Sequence, residues 1–120
     1  MGGCMVYEIT DENFEQEVVN SAVPCVIEFT AGWCTWCDEM VPTFEGLAEK
    51  FGDSVKFCLV NTDLQKSLRI KFAVAAFPYI VYVADGMKTP LFDEVVTAER
   101  LEERIKFVLE GGSAPTTRPL

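Results

Sequence analysis

The sequence predicts an α/β fold, a three-layer sandwich in which a mixed β-sheet lies between two layers of helices. Strand and helix patterns alternate through the first half of the chain, which requires parallel strands with helices on both faces. The run at residues 24–30 is mostly apolar at successive positions, as in a central strand buried on both sides. The Asp85-Gly86 pair between two apolar runs predicts a hairpin, which adds an antiparallel strand.

The chain begins with a predicted edge strand over residues 4–9, followed by a helix. Thr10 and Asp11 have side chains suited to cap that helix. Its expected apolar face consists of Phe14, Val18 and Ala22.

A long helix is predicted after the central strand and a turn at Gly32. Pro42 removes the amide that would bond to the carbonyl of Asp38, so we expect a kink there. The stripe that faces the sheet is expected to consist of Met40, Phe44, Leu47, Ala48 and Phe51. Residues 55–60 then predict a further strand.

The second half of the chain predicts two helices and the hairpin. Asp63 is expected to cap a short helix that runs through Phe72. Strands are expected at residues 79–84 and 91–95, and Thr97 is expected to cap a last helix. The apolar face of that helix consists of Leu101, Ile105, Val108 and Leu109. One domain over residues 1–111 and a flexible tail over 112–120 are therefore expected.

Composition narrows the function classes. The 120 residues include 10 basic and 19 acidic side chains, a net charge of −9, which disfavours a nucleic acid or an anionic membrane as partner. Histidine is absent, which excludes Ser-His-Asp triads, Cys-His nucleophile pairs and imidazole metal ligands. No run approaches the ~20 apolar residues of a membrane span, and the start lacks a secretory pattern, so we expect a cytoplasmic protein with reduced thiols.

The five cysteines include one motif with chemical meaning, Cys34-Thr35-Trp36-Cys37. It lies where the central strand turns into the long helix, and a helix N-terminus stabilises a thiolate. The spacing brings two sulfurs within one helical turn, so a redox pair is favoured over inert thiols. The same spacing occurs in half of a zinc site, but the chain has no second half, so we expect no metal.

At this point the chain resembles thioredoxin over about residues 7–109. The shared features are the run PCVIEFTAGWCTWC with Trp33 before the first cysteine, Pro42, the Asn61-Thr62-Asp63 segment, Phe77-Pro78 and the Asp85-Gly86 turn. The resemblance implies a thioredoxin fold with a mixed five-stranded sheet. It also implies a thiol-disulfide oxidoreductase that needs no cofactor beyond its own redox-active disulfide. The implied partners of the expected monomer are protein disulfides and an electron donor, either a thioredoxin reductase or another dithiol.

The same resemblance assigns roles to individual residues. Cys34 is implied to be the exposed nucleophile and Cys37 the buried resolving thiol. Glu28 stands where relatives carry a buried acid, whose raised pKa suits it to move protons; the alternative is a solvated carboxylate at a strand end.

Further roles concern the surface around the cysteines. The resemblance implies that Pro78 is cis, although most prolines are trans, and that the backbone of Phe77 pairs with substrate. Trp33 is expected to form an apolar contact surface rather than a core packing element, and Trp36 is a second exposed ring for docking a partner.

The sequence also departs from the family pattern. The departures are the Thr35-Trp36 spacer in place of Gly-Pro, Asp38-Glu39 where a lysine is usual, Leu59 in place of a strand lysine near the buried acid, and Val95-Val96 in place of a glycine. We expect Asp38 and Glu39 to oppose the helix dipole and push the couple toward the reducing side.

The other cysteines are expected to be bystanders. The strand phases of Cys25 and Cys58 place both on the sheet face opposite Glu28, as packed and unreactive thiols. Cys4, near the terminus, is the candidate reactive outlier.

Three functions fit these observations. A cytoplasmic protein disulfide reductase is favoured. The alternatives are a thioredoxin-fold interaction module with little turnover, and an oxidase or isomerase in an oxidising compartment.

Overall fold

A computed structural model describes residues 6–112 and 114–120 of the chain. The strands are Val6–Glu8 (β1), Cys25–Thr30 (β2), Lys56–Asn61 (β3), Tyr79–Ala84 (β4), Met87–Phe92 (β5) and Arg118–Pro119 (β6). The α-helices are Met40–Phe51 (α1), Lys66–Lys71 (α2) and Ala98–Leu109 (α3). Shorter helical segments are the π-helix Glu15–Val19 and the 3-10 helices Thr35–Glu39 and Gly52–Ser54. Within the described ranges, no helix has both the length and the apolar character needed to cross a membrane.

The strands form one mixed sheet in the order β1-β3-β2-β4-β5-β6. β1 and β2 run parallel to β3, whereas β4 runs antiparallel to β2 and to β5. Side chains of α1 and α3 pack on one face of the sheet, and side chains of the π-helix and α2 pack on the other. The three-layer α/β arrangement expected from the sequence is therefore confirmed.

The sheet has six strands rather than the expected five, because part of the expected tail pairs with β5. Met87 and Lys88 lie opposite Pro119 and Arg118, and the amide of Leu120 donates to the carbonyl of Gly86 at 2.9 Å. The expectation of five strands missed this element, because a two-residue strand has no periodicity of its own and depends on the open edge of β5.

The hairpin is confirmed, but its second strand begins earlier than expected. Asp85 and Gly86 both have positive φ angles, 55° and 76°, as a two-residue type I′ turn requires. Such a turn joins its strands directly, so β5 starts at Met87 and ends at Phe92, and the prediction of a strand at 91–95 was wrong.

Neither Thr10 nor Asp11 caps the first helical segment, which has no side-chain cap; Thr10 instead closes the turn that leads into it. The Thr10 hydroxyl accepts from the amide of Asn13 at 3.1 Å, whereas a carboxylate oxygen of Asp11 accepts from the amide of Leu68 in α2. The first helical segment ends at Val19, so Ala22 lies beyond it and is exposed. Asp11 therefore ties two helical segments together across the fold.

Two expectations for the later helices also need correction. Asp63 does not cap α2, which starts at Lys66 without a side-chain cap; its carboxylate is held by a different loop. Pro42 is the third residue of α1, directly after the 3-10 helix Thr35–Glu39, so it lies near the start of the α-helix rather than inside one long helix. The helical stretch accordingly changes from 3-10 to α winding just before Pro42.

The cap of α3 is as expected, since the Thr97 hydroxyl accepts from the amide of Arg100. Leu101 and Ile105 are fully buried against the sheet, whereas Leu109 is 40% exposed, contrary to expectation, because it ends the helix beyond the core.

This difference along α3 gives a stability test. Leu101→Ala should lower the free energy of unfolding by about 2–5 kcal/mol, because it opens a cavity in a closely packed core. The measurement is urea denaturation of the oxidised protein. The same change at half-exposed Leu109 should cost clearly less, and equal losses would contradict this description of α3.

Candidate active site

The Cys34-Cys37 motif lies at the carboxyl end of β2, a central strand that pairs with β3 on one side and β4 on the other. A three-residue loop leads from β2 to Cys34, which precedes the 3-10 helix Thr35–Glu39. The amide of Gly32 in this loop donates to a carboxylate oxygen of Asp63 at 2.7 Å, and a Cβ at Gly32 would lie 3.0 Å from that oxygen. Asp63 therefore fixes the loop that presents the motif.

The sequence also contains a signal for the observed role of Asp63, which is to bind the loop after β2 rather than to cap α2. Asp63 comes soon after β3, and the carboxyl ends of neighbouring parallel strands meet at one edge of a sheet. A polar residue there faces the loop that follows β2.

Cys34 and Cys37 form a disulfide, with their Cα atoms 5.4 Å apart. The expected pairing within one helical turn is thus present. Both cysteines are buried, Cys34 to 2% and Cys37 to 3% exposure, so the expectation of an exposed Cys34 does not hold for this oxidised state. The reason is packing: Ala31 and the partly buried Phe77 lie against the sulfur pair.

The peptide bond between Phe77 and Pro78 is cis, as the resemblance implies, and Pro78 is buried. The two residues immediately precede β4, which pairs with β2. This pairing brings the Phe77-Pro78 loop beside the disulfide.

Three aromatic rings cover this end of the sheet. Trp33 and Trp36 are 59% and 45% exposed, so Trp33 is not a core residue and both rings lie at the surface as expected. The Trp33 ring makes edge contacts with the rings of Phe77 and Trp36, at centroid distances of 5.2 and 5.8 Å. The Trp36 indole N–H donates to the Phe77 carbonyl at 2.9 Å, and the Arg69 guanidinium lies over the Phe77 ring. Arg69 was not foreseen, because its contact depends on the packing of α2.

Glu28 is buried in the middle of β2, with 2% exposure, which rules out a solvated carboxylate at a strand end. Burial and, secondarily, the negative charge of Asp38 raise the pKa of Glu28 to about 8. The strand neighbours level with it are Leu59 and Ile80, so neither supplies a cation. The acid is therefore largely protonated at neutral pH.

A pocket of about 320 Å³ leads from the surface to Glu28. Its walls are mostly apolar, and two further carboxylates stand among them; the lining consists of Val6, Glu8, Glu28, Val41, Phe44, Glu45 and Leu59. The replacement of a long basic side chain by Leu59 is consistent with this open space. Water can reach the buried acid by this route.

Cys25 and Cys58 are fully buried on the opposite face of the sheet from Glu28, as expected. The hydrogen bond with Cys25 and burial raise the pKa of Cys58. Cys4 lies outside the described residues. Within residues 6–112 and 114–120, no group of three or more His, Cys, Asp or Glu side chains is placed to hold a metal ion.

A disulfide closed within one helical turn after a central strand is the reactive group typical of thiol-disulfide oxidoreductases. Sequence comparison specifies the family within that class. The thioredoxin family model matches residues 5–107, so the chain belongs to the thioredoxin family.

Individual relatives agree with this assignment. Thioredoxin 1 of Synechococcus elongatus is 33% identical over 90 residues, which cover 75% of this chain and 81% of the relative. Thioredoxin of Porphyra purpurea is 27% identical over 83% of this chain and 94% of the relative. Human protein disulfide-isomerase A2 is 33% identical over 95% of this chain, but the match spans only 22% of that longer protein.

The buried acid gives a pH-dependent prediction. The folded protein holds the Glu28 proton more tightly than the unfolded chain, where the pKa is near 4.5, so stability falls as pH rises from about 4.5 to about 8. Glu28→Gln should remove this loss. Relative to wild type, its free energy of unfolding should rise by up to about 1.4 kcal/mol per pH unit between pH 5 and 8.

Urea denaturation of both oxidised proteins across that pH range measures the difference. Glu45→Gln is a matched control, because it neutralises an exposed carboxyl at the mouth of the same pocket. A wild-type slope no steeper than that of Glu28→Gln would contradict the raised pKa.

Proposed function

We propose that this thiol-disulfide oxidoreductase works as a protein disulfide reductase through the Cys34-Cys37 couple. The observation that carries the proposal is the disulfide itself, which follows a central strand that contains a protonated buried acid and is flanked by exposed aromatic side chains. Residues 1–111 would form the catalytic domain, consistent with the family match over 5–107.

The reaction follows from thiol-disulfide exchange. The Cys34 thiolate attacks one sulfur of a substrate disulfide, and the other substrate sulfur leaves as a thiolate. Cys37 then loses its proton and attacks Cys34, which releases the second substrate thiolate and forms the Cys34-Cys37 disulfide. A dithiol donor, such as a thioredoxin reductase, returns two electrons to that disulfide.

Glu28 is the proposed proton carrier for Cys37. With a pKa of about 8 it is poised to give and take a proton near neutral pH, and the pocket beside it connects it to water. Its pKa already responds to Asp38, the residue next to Cys37, so the charge at the motif and the state of the acid are coupled.

The proposed substrate-binding surface comprises Trp33, Trp36, Phe77 and Pro78. Exposed rings beside a reactive group supply contact area for unfolded or extended polypeptide. Two exposed aliphatic side chains come from segments that contact the site: Leu64 follows Asp63, which binds the motif loop, and Ile70 follows Arg69, which stacks on Phe77. An apolar surface of this kind suits protein substrates better than small hydrophilic disulfides.

Reduction requires a compartment that keeps donors reduced, so we place the protein in the cytoplasm or an equivalent reducing space.

The likeness to protein disulfide-isomerase A2 supports a second candidate, oxidation or isomerisation of protein disulfides. The reduction potential of the couple separates the two: a value near or below the cytosolic poise supports the reductase, and a value near that of periplasmic oxidants supports the alternative.

The central test is insulin reduction with dithiothreitol as electron donor. Wild type should accelerate insulin precipitation, and Cys34→Ser should fall to the rate of dithiothreitol alone, because no mixed disulfide can form. Cys25→Ser, which alters a buried thiol on the other sheet face, should stay close to wild type. Equal rates for wild type and Cys34→Ser would leave only a binding role.

A second test concerns the acidic residue after Cys37. Asp38→Lys replaces a negative charge in the 3-10 helix that follows Cys34 by a positive one, which favours the Cys34 thiolate. The midpoint of the pH profile for iodoacetamide alkylation of Cys34 should therefore move to lower pH. Glu110→Lys makes the same charge change beyond α3 and should leave the midpoint unchanged. An unchanged midpoint in Asp38→Lys would contradict the prediction.

A further inference from the structure

The Phe77 carbonyl is a backbone acceptor beside the disulfide that takes no part in the sheet. β4 begins only at Tyr79, and Phe77 itself packs against the buried cysteines. The partner of this carbonyl is a side chain, the indole N–H of Trp36, at 2.9 Å. A backbone acceptor in this place is suited to bind an extended polypeptide, which pairs through its own amides.

The oxidised site is closed to such a partner. A thiolate attacks a disulfide in line with the sulfur–sulfur bond, and Cys34 is only 2% exposed. Some covering group must therefore move before a large reductant can react.

Trp36 occupies the Phe77 carbonyl through a single side-chain contact. Its ring is 45% exposed, and the bond to Phe77 is its one hydrogen bond among the described residues. Phe77, by contrast, is fixed between the cysteine cluster, the Trp33 ring and the Arg69 guanidinium. Rotation of this half-exposed indole would free the carbonyl without disturbing the core.

We propose that Trp36 determines which electron donor reduces the oxidised protein, because its indole N–H and a backbone N–H of a polypeptide dithiol compete for the Phe77 carbonyl. The inference rests on the proposed function and names the partner class, a polypeptide dithiol. A small dithiol without amides does not need that acceptor. The indole bond therefore slows docking of polypeptide donors specifically.

The chemical step is balanced within the two partners. A donor thiolate attacks Sγ of Cys34, the Cys34–Cys37 bond breaks, and Cys37 leaves with the electron pair and takes up a proton. The second donor thiolate attacks the donor sulfur of the mixed disulfide and releases the Cys34 thiolate. The donor ends as a disulfide, and the protein gains two electrons.

The test uses Trp36→Phe, which keeps an aromatic ring and removes the N–H donor. Stopped-flow fluorescence measures the second-order rate constant for reduction of the oxidised full chain by dithiothreitol and by a reduced Cys-X-X-Cys peptide. The peptide rate constant should rise about fivefold, the change that corresponds to the loss of one hydrogen bond of about 1 kcal/mol. The dithiothreitol rate constant should change less than twofold.

Controls separate the possible failures. Phe107→Leu removes an exposed ring on α3, away from the motif, and should change neither rate constant. An N-methylated peptide, whose amides beside the reactive cysteine cannot donate, should lose the gain. Equal changes for both donors, or no change for the peptide, would overturn the inference. Failure of wild type to react with either donor would instead refute the proposed function.

A second measurement needs no variant to be active. In an NMR spectrum of the oxidised protein, the Trp36 indole N–H is assigned as the resonance that Trp36→Phe lacks, or by through-bond correlation in wild type. It should exchange with solvent at least several-fold more slowly than the indole N–H of exposed Trp33. Equal exchange would show that the bond to Phe77 is not held and would overturn the inference.

Discussion

Burial of β2 on both faces is the constraint on which the rest of the molecule depends. The strand pairs with β3 on one side and β4 on the other, and its side chains alternate between the two apolar layers. Its carboxyl end is therefore fixed by two neighbours at once. The chain that leaves it must form the motif loop, and whatever precedes β4 must lie beside that loop, which is how Phe77-Pro78 reaches the disulfide.

The same burial determines the electrostatics behind the cysteines. A carboxyl in the centre of a strand with apolar neighbours costs free energy when charged, so Glu28 keeps its proton until about pH 8. Asp38 adds to this effect, and Leu59 supplies no charge to oppose it. The charge at the motif and the protonation state of the buried acid thus depend on one short stretch of β2 and the turn that follows.

The sequence was informative where one local pattern decides the structure. The β2 run, the Asp85-Gly86 turn and the Thr97 cap are all recognisable from a few adjacent residues, and all are present. Side chains whose partners are remote in sequence were misassigned. Asp11 and Asp63 are residue types that commonly cap the helices that follow them. In the folded protein their carboxylates instead accept hydrogen bonds from the amides of Leu68 and Gly32.

The features of the active site also fall into those that the sequence predicts and those that depend on contacts between distant residues. The cysteine pair could be located from its spacing, whereas the buried acid was implied by the resemblance, because the strand pattern alone fits a solvated carboxylate equally well. The burial of Cys34 could not be predicted, since it depends on Phe77, more than forty residues away. The indole bond of Trp36 spans the same distance and leaves no trace in the periodicity of either segment.

The short strand β6 has a consequence for association between molecules. A bare β5 would present a row of unpaired amides and carbonyls, the kind of edge on which a second chain can add a strand. By pairing with Met87 and Lys88, and by placing Leu120 against the core, the C-terminal segment occupies the start of that edge. The pairing thus leaves fewer free backbone groups on that edge, and a fusion partner joined at Leu120 would lie beside the paired residues.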